Sequence, residues 1–124
     1  MLSPDCNFIV STSDDKTLKI WDARTGIESL TLVGHKSAVN SCAISPDGNF
    51  IVSASSDKTL KIWDTRTGNS RFTLNSHLDW VTNCAISADS QTVISASLDH
   101  SLKFWDVANG TEKFVLDGHM NAVS

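Results

Sequence analysis

Most of the features that announce a chemical activity are scarce in this sequence or missing from it. The three cysteines, Cys6, Cys42 and Cys84, are odd in number and too far apart to form a disulfide framework or a paired-thiolate metal site. Cys42 and Cys84 sit within apolar stretches, where small buried hydrophobes are expected. The four histidines (His35, His77, His100 and His119) include no H-x-x-x-H pair, so no metal is expected. Glycines occur only in turn-like settings or before a histidine, never as a phosphate-binding run, and no cofactor is expected. Basic residues are few and unclustered, and the formal charge is −4. That balance argues against a nucleic-acid surface or an anionic membrane surface as partner. No run approaches the length of a membrane span. The N-terminal M-L-S-P-D-C-N-F lacks a basic n-region and a long apolar segment. No signal peptide is therefore expected, and a reducing, cytoplasmic setting is. Helical periodicity, linkers and low-complexity segments are missing as well.

What the sequence does have is a period. Trp21-Asp22, Trp63-Asp64 and Trp105-Asp106 are 42 residues apart, and so are Asp15, Asp57 and Asp99. His35, His77 and His119 keep the same spacing, as do Gly26, Gly68 and Gly110. A fixed period in this range marks a repeat architecture and outranks any single motif. The chain divides into one repeat domain over 1–124: a partial repeat at 1–33, full repeats at 34–75 and 76–117, and the start of a further one at 118–124.

The full repeat 34–75 reads as four short strands. Residues 39–45 are rich in β-branched and small residues. Pro46-Asp47-Gly48-Asn49 has turn chemistry, with Pro fixing φ and Gly accepting φ > 0. Residues 50–55 open with an unbroken apolar run, which predicts a strand buried on both faces. A tight turn at Ser56-Asp57-Lys58 leads to residues 59–64, which alternate with period two. A turn through Gly68 leads to a last strand at 70–74. Four strands joined by hairpins form an antiparallel meander, and a single such sheet cannot cover both of its own faces. In the next repeat Ser90 replaces Gly48, which predicts a mild backbone penalty if that turn requires φ > 0. Met1–Ser3 align with the end of a first strand and Ala122–Ser124 with the beginning of one. The chain is therefore expected to be a fragment, or an oligomerising subunit, of a larger ring.

The recurring Gly-His, Asp and Trp-Asp elements (Gly34-His35, Asp57 and Trp63-Asp64 in the complete copy) resemble those of the WD-repeat β-propeller family. The resemblance covers essentially the whole chain. It implies an all-β fold in which each repeat builds one four-stranded antiparallel blade, here a three-blade partial propeller. It also implies an internal hydrogen-bond network made of His35, Ser53, Asp57 and Trp63, and again of His77, Ser95, Asp99 and Trp105. A third set, Ser11, Asp15 and Trp21, lacks its own histidine, and the residue in phase is His119. The chemistry is sound on its own terms. A buried indole N–H needs an acceptor, a hydroxyl supplies one, and an imidazole held by a carboxylate can donate to that hydroxyl.

Serine, histidine and aspartate together invite a hydrolase reading. A catalytic set occurs once, on an exposed turn, whereas this one recurs with a tryptophan and a strand-embedded serine. A structural role and no enzymatic activity are the expectation. Function is then sought where the copies differ. The resemblance implies that the residues three and five past each histidine, and the one before each turn aspartate, lie on the partner-contacting top face. These are Ala38, Asn40 and Ser56 in one repeat, and Trp80, Thr82 and Leu98 in the next. Asp14 belongs to the first repeat, and Ala122 and Ser124 to the last. Trp80, whose counterpart is Ala38, is the outlier and would share an apolar edge with Leu98. The expected function is a protein- or peptide-binding scaffold, with self-association to close a ring as one possibility. The alternative is a sensor or regulatory repeat region of a larger signalling protein or enzyme.

Overall fold

Alternating apolar positions and glycine-punctuated turns place eleven strands in three antiparallel sheets in the computed structural model, which describes Ser3 and residues 7–12, 15–75 and 77–116. The first sheet holds β1 (Phe8–Thr12), β2 (Thr17–Asp22) and β3 (Glu28–Val33). The middle sheet holds β4 (Val39–Ile44), β5 (Phe50–Ser55), β6 (Leu60–Asp64) and β7 (Ser70–Leu74). The last holds β8 (Val81–Ile86), β9 (Thr92–Ser97), β10 (Leu102–Asp106) and β11 (Thr111–Leu116). Each is a simple up-and-down meander. The four expected strands of the middle repeat are present, two of them shorter by one residue. β5 is buried along its whole length, as its apolar run predicts.

A sheet with two apolar faces has to be covered twice. Two apolar cores lie between the sheets, each assembled from opposite faces of its neighbours. Val10, Leu18, Ile20 and Leu32 of the first sheet meet Val39, Ile51 and Trp63 of the middle one. Phe50, Val52, Ala54, Leu60, Ile62 and Leu74 of the middle sheet meet Val81, Val93 and Trp105 of the last. Residues of even number on β5 thus face forward and Ile51 faces back, as period two dictates. Three stacked blades result, the middle and last each presenting the Trp face to the blade before it.

The turns keep this stacking in register. Ser45 Oγ accepts the Phe50 N–H at 3.1 Å and Ser45 N–H donates to the Phe50 carbonyl at 2.9 Å. Ser3 repeats both bonds with Phe8, at 3.1 and 2.8 Å. Met1 and Leu2, aligned with the end of a first strand, lie outside the described residues, as do Ala122 and Ser124. Ser90 adopts φ 60°, so its turn does hold a side chain in the left-handed region. Lys16, Lys58 and His100 adopt the same region, at the turns between β1 and β2, β5 and β6, and β9 and β10.

Gly110, with φ +69°, also keeps space open between blades. A Cβ there would lie 2.6 Å from the Phe72 ring of the blade before it, whereas one at Gly26, with φ +71°, would meet nothing within 4 Å. Gly26→Ala should therefore cost only the backbone strain of about 1 kcal/mol. Gly110→Ala should add an overpacking cost of about 1–3 kcal/mol. Urea unfolding of the two variants checks this, and equal costs would contradict the interblade contact.

Candidate functional site

Two buried side chains of the middle blade converge on one hydroxyl. Ser53 sits at the centre of β5 and is fully buried. The Trp63 indole N–H, from β6, donates to Ser53 Oγ at 2.8 Å. His35 Nε2, from the loop before β4, lies 2.6 Å from the same oxygen. His35 Nδ1 is 2.8 Å from Asp57 Oδ2. Asp57 is saturated in turn: Oδ2 also accepts the Lys36 N–H at 2.9 Å, and Oδ1 accepts Thr59 N–H at 2.9 Å and Thr59 Oγ1–H at 2.5 Å. The His35 and Trp63 rings meet edge to face, with centroids 6.1 Å apart.

The last blade repeats this geometry. Trp105 donates to Ser95 Oγ at 2.9 Å, His77 Nε2 lies 2.7 Å from that oxygen, and His77 Nδ1 is 2.8 Å from Asp99 Oδ2. Leu78 N–H donates to Asp99 Oδ2 at 3.0 Å, and Ser101 takes the part of Thr59. The first blade holds a partial set. Trp21 donates to Ser11 Oγ at 3.0 Å, and Asp15 accepts Thr17 N–H at 3.1 Å. No described histidine is bonded to Ser11, and His119 lies outside the described residues. Thr17, Thr59 and Ser101 were not singled out in the sequence, although their spacing of 42 marks them as members of the set.

The electrostatics fix the direction of the chain. Burial lowers the pKa of His35 and His77, against the opposing pull of Asp57 and Asp99, so both imidazoles are neutral at pH 7. Burial pushes the Asp57 and Asp99 carboxyls up. The hydrogen bonds from Thr59, Lys36 and His35, and from Ser101, Leu78 and His77, outweigh it and hold both below the usual carboxylate range. An ionised carboxylate only accepts, so Nδ1 carries the ring proton and Nε2 keeps a lone pair. The serine hydroxyl must then donate to Nε2 while accepting from the indole. This corrects the expectation that the imidazole donates to the hydroxyl. The order is Trp N–H to Ser O–H to His, with His N–H to Asp.

Such a constellation has no access for a substrate. Both histidine side chains are fully buried, and so are Ser53 and Ser95. Among the described residues the thiols offer no nucleophile either: burial pushes Cys84 up to about 12 and raises Cys42 too. Both cysteines are partly rather than fully buried. Among the described residues no group of three or more His, Cys, Asp or Glu side chains is arranged to hold a metal ion.

The positions that differ between copies lie beside the same loops. In the middle blade Ser56 N–H donates to the Ala38 carbonyl at 3.0 Å, and Asn40 Nδ2 donates to Ser56 Oγ at 3.0 Å. Asn40 Nδ2 also reaches the Val81 carbonyl at 3.0 Å and so joins this edge to the last blade. There Leu98 N–H donates to the Trp80 carbonyl at 3.0 Å, which also accepts Ser97 Oγ–H at 2.8 Å. Trp80 N–H donates to Asp79 Oδ1 at 2.7 Å. The Trp80 backbone is fully engaged while its side chain is half exposed, at 50%. Leu98 is partly buried beside it, and Thr82 Oγ1 donates to the Ala96 carbonyl at 3.3 Å. Asp14 lies outside the described residues. Leu78, 83% exposed, joins this edge unannounced. Its signal was the replacement of Lys36 by leucine one repeat later.

The sequence profile of the family described as WD domain, G-beta repeat matches residues 2–22, 26–64 and 68–106. A transcriptional repressor of Neurospora crassa, rco-1, is 45% identical over 42 residues, which cover 34% of this chain and 7% of the repressor. The solved structure of U3-55K superposes with a TM-score of 0.96 at 29% identity, over all of this chain and 40% of that one. The crystal structure of the RRP9 WD40 repeats gives the same TM-score and identity over 39% of its chain. The chain thus spans well under half the length of these relatives.

Ser53→Ala should destabilise the fold by about 1–3 kcal/mol, since it leaves both the indole and the imidazole unsatisfied in the interior. Ser11→Ala should cost less, because Ser11 is only partly buried. Chemical unfolding of both variants tests the contrast. The pH dependence has a definite sign. The folded-state values of His35 and His77 lie below the unfolded value of about 6.5. Their contribution is therefore complete above about pH 6.5 and is lost as pH falls through the folded-state values. Asp57 and Asp99 are also lowered, and add a further loss below about pH 4. Denaturation midpoints between pH 8 and 3 should fall in that order. A flat profile from pH 8 to 5 would contradict buried neutral histidines.

Proposed function

Because this chain belongs to the WD40-repeat family, we propose that it is a non-enzymatic protein-interaction module forming part of a larger propeller. Propellers of this family generally serve as protein-binding scaffolds. The observation that carries the reading is the edge formed by Leu78, Trp80 and Leu98. All three are apolar where the preceding repeat has Lys36, Ala38 and Ser56. Half-exposed tryptophan on a fixed backbone is the kind of anchor that dominates interfaces. It loses little conformational freedom on binding, because the main chain that carries it is already hydrogen-bonded. The neighbouring Asn40, Ser56 and Thr82 supply the polar rim, beside the small apolar Ala38. The burial of both complete Ser-His-Asp sets supports a structural role for them and a non-enzymatic reading of the whole.

A regulatory or sensor segment of a longer signalling protein is the second reading. It is supported by the small share of its relatives that the chain spans. Self-association of copies is the third way the blades could be completed. A cytoplasmic setting accords with free thiols at Cys42 and Cys84. Among the described residues no helix is long and apolar enough to cross a membrane.

The test is Trp80→Ala, with Leu78→Ser as companion, against a protein recovered from cell extract on the intact chain. Affinity should fall at least tenfold while the unfolding free energy stays within about 0.5 kcal/mol of the parent, as for an exposed anchor. Unchanged affinity for both variants would remove this edge from the binding surface.

A further inference from the structure

We propose that the middle blade binds a phosphate monoester in a pocket at its rim, between the loop that enters β4, the turn after β5, and strands β6 and β7. This site is separate from the Trp80 edge and does not depend on it. The pocket encloses about 290 Å³ and is lined by Lys36, Asp57, Thr59, Lys61, Thr73 and Asn75 among others. The middle blade is flanked on both sides within the chain, so a longer stack of blades would keep this pocket.

The three copies treat one lysine differently. Lys19 of the first blade pairs with Glu28 at 3.5 Å, and Lys103 of the last blade pairs with Glu112 at 3.3 Å. Lys61 holds the same place in the middle blade, but the residue in phase with the two glutamates is Ser70. The Ser70 hydroxyl turns to the Phe72 carbonyl at 3.5 Å. Lys61 therefore lacks the carboxylate that neutralises its two counterparts. Lys36 adds a second positive charge where the last blade has Leu78, and Thr73 a hydroxyl where it has Val115.

Lys61 is held in place without being neutralised. Its Nζ donates to Thr73 Oγ1 at 2.9 Å. A Cβ at Gly34 would lie 3.4 Å from Lys61 Cε, so the entering loop rests against the lysine stem. An ammonium has further N–H donors beyond the one Thr73 takes, and the Thr73 hydroxyl, having accepted, keeps its own hydrogen to donate. The Asn75 amide adds two more donors. The anionic group in the lining, Asp57, is turned to partners of its own. Its Oδ2 takes the Lys36 N–H and faces His35 Nδ1, and its Oδ1 takes both donors of Thr59. Two lysines against one aspartate leave the lining with a net positive charge. A carboxylate ligand would meet these donors with two oxygens. A phosphate monoester brings three and a charge of about −1.5 to −2, which suits donors that come from two strands and a loop. Lysine binds such a group as a point charge, with no need for a guanidinium fork.

The test is a titration of the full chain at constant ionic strength, followed by the backbone amide signals in nitrogen-15 NMR. The probes are inorganic phosphate, N-acetyl-O-phosphoserine amide and N-acetyl-glutamate amide. Both phosphate probes should give saturable shifts at Lys36, Lys61, Thr73 and Asn75, and the glutamate probe should bind more weakly. Tighter binding of phosphoserine than of inorganic phosphate assigns a phosphorylated side chain as the ligand, and otherwise the free ion is assigned. Ser70→Glu places a carboxylate where the other two copies have one and should weaken both phosphate probes at least tenfold, the loss of a charge-assisted contact. Ser70 is exposed, so the fold should survive, which circular dichroism checks. Lys61→Gln should weaken binding equally and stands in if Ser70→Glu does not fold. Glu112→Ser, which frees Lys103 beside Leu78 and Val115, should create no second site. Absence of saturable shifts in the parent would overturn the proposal. So would a glutamate probe that binds as tightly as phosphate, or phosphate binding unchanged in Ser70→Glu and Lys61→Gln. A second site in Glu112→Ser as strong as the first would overturn the parts given to Lys36 and Thr73.

Discussion

One hydroxyl does two jobs at once: Ser53 Oγ accepts from an indole and donates to an imidazole in a site closed to water. Neither partner can leave without orphaning the other, and a buried polar group without a partner costs far more than an average hydrogen bond contributes. The imidazole, in turn, is neutral because burial outweighs the pull of Asp57, and Asp57 fixes its proton on Nδ1. Asp57 then holds the Lys36 N–H and the Thr59 turn. A loop before the first strand, two central strands and the turn beyond them are thus tied through four side chains.

That tie depends on cover from outside the blade. Trp63 belongs to the core shared with the first blade, and Trp105 to the core shared with the middle one. Each polar network is dry because the preceding blade's forward face lies over it. The first blade, with no such cover among the described residues, shows what changes. Trp21 and Ser11 keep their bond, at 3.0 Å, while their surroundings open to solvent. Stability in such a stack resides in neighbour contacts more than in single repeats. The same arrangement leaves the loop edge at Leu78, Trp80 and Leu98 free to vary, since its backbone bonds are satisfied whatever side chains it carries.

Much of this was legible in the sequence, and for a physical reason. A period of 42 with Trp, Asp and His in phase reports blade number and strand order directly, because each repeat solves the same packing problem. The partners within each network followed from the resemblance to the WD-repeat family, position by position. The direction of one link did not: it depends on burial lowering the histidines and hydrogen bonds lowering the aspartates, quantities that no spacing encodes. The exposure of Leu78 depends on the fold, which turns its side chain outward. Trp80 and Leu98 both break the pattern of the repeat, and one backbone hydrogen bond at 3.0 Å joins them, as one joins Ala38 and Ser56. Asp14 and His119 lie outside the described residues.

The central claim is the order of donors from tryptophan through serine to a neutral histidine held by aspartate. Nitrogen-15 NMR of the imidazoles at pH 7 tests it most directly. The account predicts that His35 and His77 appear as neutral rings protonated at Nδ1, with Nε2 shifted as an acceptor. Rings protonated at Nε2, or doubly protonated at that pH, would contradict it.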